Sequence, residues 1–225
     1  MPHRQLPPIV DRVDHLVAAA RGRRVLHLGC ANAPYTLESL TAGVLLHDRI
    51  AAVATELSGL DTDSDSIQQL RSRGHDRLVV GDLTELAVDD LPGPFDLIIA
   101  GEIIEHVDDP GRFLRALHGL LERDDSTLVL TTINAYGLVR FVQYAWPRRG
   151  PLREPVHPDH VAYYSLQTLS LLCRRAGLTV TETAFYDLGD EHRTTTPRRR
   201  QRVNDIAVRW WPQLADGIIV HCRPM

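Results

Sequence analysis

The chain has 225 residues, 44% of them apolar, and a formal net charge of −4, which is ordinary for a globular protein that buries a core. The negative balance excludes a global basic field that would recruit nucleic acid or an anionic membrane. Three cysteines without CxxC spacing, no apolar run near the ~20 residues of a membrane span and no apolar leader predict a cytoplasmic chain without disulfide bonds.

Strands and helices alternate along the chain. We predict helices over 8–20, 38–56 (broken near residue 43), 66–73, 110–121, 165–175 and 203–210, and strands over 25–28, 57–60, 78–80, 97–100, 127–133, 179–186 and 217–222. This alternation predicts an α/β fold with a doubly wound, mostly parallel seven-stranded sheet and an antiparallel edge strand. We expect one domain over 1–225, with residues 134–160 forming a substrate lid because they are too long for an ordinary connection.

The most informative stretch reads FDLIIAGEIIEHVDDP, over residues 95–110. Its apolar run predicts a strand that is buried on both faces of a parallel sheet. Glu102, Glu105 and His106 follow at once, and they would share one face if the chain becomes helical directly after the strand. Because ligands bind at the carboxyl ends of the strands in open α/β sheets, these polar residues indicate a site.

Three earlier strands also end in residues suited to a ligand. Gly29 follows the first strand and would let the backbone turn close to a bound molecule. Asp61 closes the second, where a carboxylate can accept ribose hydroxyls, and Asp82 closes the third, where it can meet an adenine amino group. Each aspartate could instead merely cap the following helix. Taken together in this order, they favour a nucleoside-like ligand.

A dinucleotide-dependent oxidoreductase is a weak alternative. That class needs a GxGxxG turn followed by an acid ~20 residues later. Here only Gly29 of the three glycines is present, and Asp61 follows it by 32 residues.

Five segments resemble, in order, the successive motifs of class I S-adenosylmethionine-dependent methyltransferases: VLHLGCANAPYT, LSGLDTD, LVVGDL, FDLIIAGEIIEHVDDPGRFLRAL and LVLTTINAYG. The resemblance covers about residues 25–180. It implies a Rossmann-like fold, S-adenosylmethionine as the cofactor, and a set of cofactor-binding residues: Gly29, Cys30, Ala31, Asp61, Thr62, Asp82, Leu83, Gly101 and Glu102. The chain departs from the family at His27, where an acid is common, and at Ala31 and Ala33, where glycines are common.

On the acceptor side, His106 is a natural general base, with Glu102 or Glu105 to orient it. His160, in the segment HPDHVAYY, is a second imidazole expected over the same strand ends. Glu102, Glu105, His106 and His160 would also suit a divalent metal such as Mg²⁺, which would lower the pKa of an acceptor hydroxyl. The plainer alternative is that Glu105 pairs locally and the two histidines brace the lid by hydrogen bonding.

These observations predict a transferase that methylates a small molecule, preferably at a hydroxyl of a sugar, polyol or natural product. The first alternative is a metal-dependent RNA 3′-terminal ribose 2′-O-methyltransferase, because ExxEH followed by HxDH is similar to that group. The net charge and the AYY after His160, where FEW would be expected, argue against it, and we expect neither nucleic acid nor membrane as a partner. The second alternative is a non-catalytic nucleoside-binding protein of the same fold. A homodimer is left open.

Arginines occur in two further groups, at 140–153 and 193–202. The first could bind an acidic acceptor or form a solvated face, and we favour the solvated face. Residues 198–200 are expected in an exposed loop.

Overall fold

A computed structural model describes residues 6–85, 91–121, 126–145, 159–187 and 197–225. The strands are β1 (Ile9–Val10), β2 (Arg24–Leu28), β3 (Glu56–Asp61), β4 (Leu78–Val80), β5 (Leu97–Gly101), β6 (Thr127–Ile133), β7 (Leu178–Tyr186) and β8 (Gly217–Pro224). The helices are α1 (Arg12–Ala20), α2 (Thr36–Ala42), α3 (Leu46–Ala51), α4 (Ser64–Ser72), α5 (Pro110–Gly119), α6 (Leu138–Ala145), α7 (Leu166–Arg175) and α8 (Arg198–Trp210), with 3₁₀ turns at Ile104–His106 and Pro212–Leu214.

The strands form one eight-stranded sheet in the order β1-β7-β8-β6-β5-β2-β3-β4. Neighbouring strands are parallel except where β8 pairs, antiparallel, with β6 and β7. The predicted α/β fold with a mostly parallel sheet is therefore confirmed. Two details differ from the prediction: two-residue β1 adds an eighth strand, and the antiparallel strand lies inside the sheet rather than at its edge.

The sheet is buried on both faces, as the apolar runs of the central strands require. One face carries Leu26, Ile98 and Leu130 and packs with residues of α5, α7 and α8. The other carries Val25, Ile99 and Val129 and packs with residues of α1 and α3. Because side chains alternate along a strand, successive residues of β5 and β6 point toward different helices.

Helix starts follow from capping side chains. Asp109 accepts a hydrogen bond from the Arg112 amide at 2.8 Å, with proline in the first turn of α5. Ser165 starts α7 with a capping box. At α4 the cap is Asp63, whose Oδ1 accepts from the Ser66 amide at 2.7 Å, so α4 begins before the predicted residue 66.

The predictions for the two groups of arginines differ from the structure where it describes them. Residues 198–200 are not in a loop but begin α8. In the first group, Arg140 forms an ion pair with Asp216, with 2.7 Å between Nη2 and Oδ1, and does not simply face solvent. The core of the predicted lid, residues 146–158 with arginines 148, 149 and 153, lies outside the described residues, as do residues 193–196. In the described part of the chain, no helix is long and apolar enough to cross a membrane.

Candidate active site

Asp61 joins the two loops that follow β2 and β3. Its Oδ2 accepts a hydrogen bond from the Ala31 amide at 2.9 Å, and its Oδ1 accepts from the Asp63 amide at 3.1 Å. The Gly29 amide donates to the Leu60 carbonyl at 2.8 Å. The carboxylate therefore holds the predicted glycine turn against the end of β3, with Thr62 exposed beside it.

The glycine turn after β2 leaves no room for a side chain at Gly29. Gly29 has a φ of 63°, and a Cβ there would lie 3.0 Å from the Cδ1 atom of Ile103, so a side chain would be strained and crowded. The second left-handed residue is Asn32, with a φ of 58°. Asparagine tolerates this conformation better than alanine does, which explains how the turn forms with alanines where the family commonly has glycines.

Cys30 lies in this turn but is buried. Burial raises the pKa of the Cys30 thiol, and the nearby Asp61 carboxylate raises it further. The thiol is therefore inert at neutral pH, and Cys30 fills space beside Ala31 and α2 rather than acting as a nucleophile.

Asp82 is exposed at the carboxyl end of β4, and Leu83 is buried in the core. The Asp82 Oδ1 atom accepts hydrogen bonds from the Thr84 amide at 2.7 Å and from the Thr84 hydroxyl at 2.8 Å. These are the local bonds of an Asx turn. Asp82 thus shapes its own turn at the edge where Asp61 also lies.

Glu102 leaves β5 in the left-handed region, with a φ of 54°. Its amide donates to the Thr131 carbonyl at 2.8 Å, and its Oε1 accepts from the Tyr186 hydroxyl at 2.6 Å. Its Oε2 lies 3.9 Å from Nη2 of Arg12 in α1. A Cβ on Gly101 would lie 3.4 Å from Nη1 of the same arginine. This cluster of Arg12, Glu102 and Tyr186 lies on the α1 side of the sheet.

Glu105 is fully buried on the other side of the sheet. The Thr132 hydroxyl donates to its Oε2 at 2.9 Å, while Oε1 has no hydrogen-bond partner among the described residues. Burial raises the pKa of Glu105 to about 7 and the Glu102 carboxylate adds to the rise, while hydrogen bonds from the backbone of Glu105, the Thr132 hydroxyl and the backbone of Ile133 oppose it. Near neutral pH this carboxyl group therefore carries a proton for part of the time.

His106 and His160 come together, as predicted. Their ring centroids are 4.5 Å apart and the rings are nearly perpendicular. The backbone causes this: the amides of Val161 and Ala162 donate to the Glu105 carbonyl at 2.8 and 3.3 Å. The Tyr164 hydroxyl donates to the Ile104 carbonyl at 3.3 Å. The short 3₁₀ turn after β5 thus holds the segment that carries His160.

The structure does not support the predicted metal site. In the described residues, no group of three or more His, Cys, Asp or Glu side chains is arranged to hold a metal ion. The predicted helical spacing after β5 is also wrong, because Glu102 is left-handed and only a 3₁₀ turn follows it. Glu102 therefore bonds Tyr186 on one face of the sheet, Glu105 bonds Thr132 on the other, and the exposed His106 faces His160.

Two members of the site were missed in the sequence: Arg12 and Tyr186. Arg12 follows the cap of α1, far from any recognised motif, and Tyr186 is the last residue of β7. Burial raises the pKa of Tyr186 well above its usual value, so its hydroxyl remains a donor to Glu102. Tyr186 could have been recognised as a site residue from its position at the end of a predicted strand, whereas no nearby sequence pattern indicates that Arg12 belongs to the site.

His27, the residue found in place of a common acid, also has a partner that was not foreseen. Its Nδ1 lies 3.2 Å from Nδ1 of His47 in α3, and both rings are buried. His47 in turn contacts the ring of His75, which pairs with Asp48 at 2.7 Å. Burial lowers the pKa of His27 to about 3 and of His47 to about 2. Both imidazoles are therefore neutral and structural.

A mostly parallel sheet with an inserted antiparallel strand and polar groups along its carboxyl edge defines a Rossmann-like methyltransferase fold. A family model described as a methyltransferase domain matches residues 3–183, and the chain belongs to this family.

Solved structures of methyltransferases share this fold. An S-adenosylmethionine-dependent methyltransferase from Mesorhizobium loti aligns over 93% of this chain and 96% of its own, with a TM-score of 0.58 and 18% identity. The N-methyltransferase NodS from Bradyrhizobium japonicum, in complex with S-adenosyl-L-homocysteine, aligns over 95% of this chain and 84% of its own, with a TM-score of 0.57 and 14% identity. At these identities the likeness shows the fold alone.

Among curated proteins, the ubiquinone biosynthesis O-methyltransferase of Xanthomonas campestris is 31% identical over 129 residues. The alignment covers 55% of this chain and 49% of the relative. The chain thus matches about half the length of this relative.

Proposed function

We propose that this chain is an S-adenosylmethionine-dependent methyltransferase that methylates a hydroxyl group of a small-molecule acceptor. The observation that carries the proposal is the contact between the imidazoles of His106 and His160, because His106 follows β5, the strand that pairs with β2 and so neighbours the glycine turn. Membership of the methyltransferase family and the O-methyltransferase name of a relative support it. We interpret residues 1–225 as one domain, with the segment over 134–160 on the acceptor side.

The residues at the donor end fit the methyl donor. Gly29 holds a left-handed φ against Ile103 that a side chain would strain and crowd, and Asp61 is fixed by two amides where ribose hydroxyls could share its oxygens. Asp82 lies exposed at the next strand end, within reach of a base. Arg12, beside Gly101, supplies a guanidinium for a carboxylate such as that of the methionine moiety.

At the acceptor end, the chain has two tasks: to position the acceptor and to remove its proton. The donor's sulfonium supplies an electrophilic methyl group, so the protein needs no further activation of it. His106 is exposed and takes the acceptor proton, and His160 packs edge-on against it to fix the ring. Glu105 fixes the same turn through its carbonyl, which binds the amides of Val161 and Ala162.

Replacing His106 by alanine tests whether this residue takes the acceptor proton without contributing to binding of the methyl donor. We expect turnover to fall by roughly 10²–10⁴-fold because the general base is lost, while the affinity for S-adenosylmethionine stays within about twofold because the donor half is untouched. Calorimetry measures the affinity, and transfer of labelled methyl groups to phenols, sugars and polyols measures turnover.

His118→Ala is the matched control, because His118 lies in the last turn of α5, away from the carboxyl edge of the sheet. It should change neither quantity. Absence of S-adenosylmethionine binding by the wild-type chain would contradict the proposed cofactor. Full turnover by His106→Ala would show that another group takes the proton.

A further inference from the structure

Helix α8 presents an exposed apolar stripe. Val203, Ile206 and Trp210 follow one another at helical spacing and are 64%, 62% and 70% exposed, while Asn204 and Val208 form the buried side of the same helix. Apolar residues at positions i, i+3 and i+7 lie on one face of a helix. This stripe, together with Arg199 and Arg202 beside it, is called the α8 face below.

The same helix concentrates positive charge. Five of its 13 residues are arginines and one is an aspartate, although the whole chain has a net charge of −4. Three of the arginines occupy the first turn, where the positive end of the helix dipole makes cations unfavourable. The N-cap, Pro197, provides no side-chain hydrogen bond to offset this. None of the five arginines forms an ion pair within the described part of the chain. An external anionic group would relieve this repulsion.

The α8 face is held firmly on the protein. The Asn204 side chain donates to both carboxylate oxygens of Asp187 at 3.0 and 2.8 Å, and Val208 is in the core. The turn after α8 is held by Asn134, whose Nδ2 donates to the carbonyls of Gln213 and Ala215 at 2.9 and 2.8 Å. The exposed stripe is thus a fixed surface that pays no ordering cost on binding.

We propose that the α8 face binds the surface of an anionic lipid membrane. Aliphatic and tryptophan side chains would enter the headgroup boundary, and the flanking arginines would reach lipid phosphates with their long side chains. The net charge of the chain argues against membrane binding only if charge is evenly spread, and in α8 it is not. The proposal concerns a surface outside the candidate active site and does not rest on the proposed function.

Other occupants fit less well. A two-fold dimer through the α8 face would bring two strongly basic helices together, and like charges at an interface cost affinity. A nucleic acid would be bound by the arginines and tryptophan but would leave Val203 and Ile206 without a role.

Vesicle sedimentation with the full chain tests the proposal. We expect binding to vesicles of phosphatidylcholine mixed with phosphatidylglycerol and weak binding to phosphatidylcholine alone. Charge reversal by Arg199→Glu with Arg202→Glu should lower the binding to anionic vesicles about tenfold or more, since each cation near such a surface contributes to affinity. Replacing Val203, Ile206 and Trp210 by serine should produce a similar loss. A blue shift of tryptophan emission on binding, lost in the serine variant, is a second readout.

Helix α7 offers matched controls, because it exposes Leu171, Arg174 and Arg175. Arg174→Glu with Arg175→Glu makes the same change of charge as the α8 variant, and Leu171→Ser removes one exposed apolar side chain; both should leave vesicle binding unchanged. Equal losses in the α7 and α8 variants would overturn the proposal, as would no binding to anionic vesicles. Sedimentation velocity that shows a dimer lost on α8 substitution, or RNA binding without vesicle binding, would assign the face to another partner.

Discussion

Two neighbouring carboxylates in the candidate site have opposite surroundings. Glu102 contacts the Arg12 guanidinium and the Tyr186 hydroxyl, whereas Glu105 is fully buried and accepts a hydrogen bond from the Thr132 hydroxyl. The three-residue spacing that suggested a shared role instead separates them across the sheet. The surroundings of Glu105 therefore favour the neutral, protonated carboxyl group over the ionised one.

Replacing Glu105 by glutamine should change stability in a pH-dependent way. The folded-state pKa of about 7 lies above the ordinary value of 4.5, so the folded state binds this proton more tightly, and the contribution of Glu105 to stability falls as pH rises from about 4.5 to about 7. Above pH 7 the Glu105→Gln variant, which carries no charge, should be more stable than wild type by on the order of 1–3 kcal/mol. Urea unfolding at pH 5 and pH 8 measures this difference.

Glu38→Gln is the comparison for this change, because Glu38 is exposed on α2. Its effect should be within about 0.5 kcal/mol at both pH values. A Glu105→Gln variant that loses stability equally at pH 5 and pH 8 would show that the buried carboxyl is not charged in the folded state at pH 8.

At the scale of elements, the close packing of β7 on β8 at Tyr186 requires a glycine at position 217. Gly217 pairs with Tyr186 across the antiparallel ladder, and a Cβ at Gly217 would overlap the Tyr186 ring. The missing side chain lets the ring lie across β8 and place its hydroxyl on Glu102. The packing of β7 against β8 thus sets the position of the Tyr186 hydroxyl in the candidate site.

Gly217→Ala should therefore destabilise the fold by about 1–3 kcal/mol, because the Tyr186 ring must move from a filled core. We also expect the Tyr186–Glu102 hydrogen bond to break, and so a weaker affinity for S-adenosylmethionine if Arg12 and Glu102 border the donor. Chemical denaturation and calorimetry measure the two effects. Gly111→Ala, in the first turn of α5 where the nearest atoms belong to the flexible end of Arg115 and the Asp109 carboxylate, should be nearly neutral. Equal stability of both variants would contradict this account.

The strands and the strand-end residues were predictable from sequence, and the local geometry after β5 was not. Apolar runs mark β2, β5 and β6, and Asp61 is recognisable because it directly follows a strand. The helix expected after β5 fails because Glu102 adopts a positive φ, which spacing cannot reveal. Arg12 and Tyr186 reach Glu102 from distant parts of the chain, so only the folded sheet brings them to the site.

For the whole molecule, the buried histidines should set acid stability. The folded-state pKa values of about 3 for His27 and about 2 for His47 lie below the ordinary 6.5. The unfolded chain therefore binds protons that the folded chain does not, and stability is lost as pH falls below about 6.5. Glu105 acts in the opposite direction between about 4.5 and 7, so near pH 5.5 the two histidines outweigh it by about one proton, and near pH 7 the effects roughly cancel.

Substitution of His47 by glutamine should flatten this dependence. The slope of unfolding free energy against pH between pH 4 and pH 6 should fall by about 1.4 kcal/mol per pH unit, the contribution of one titrating group. The slope is the informative quantity, because the substitution also removes packing and lowers stability at every pH. Urea titrations across this range measure it. An unchanged slope would mean that His47 becomes protonated without unfolding.

The position of β8 has a consequence for the order of events during synthesis. This strand lies between β6 and β7, yet the ribosome delivers it after every other strand of the sheet. Until it emerges, β7 and β1 lack the strand that joins them to the rest of the described sheet. A nascent chain would therefore present two separate sheet fragments with open edges, which are the surfaces that chaperones shield from aggregation.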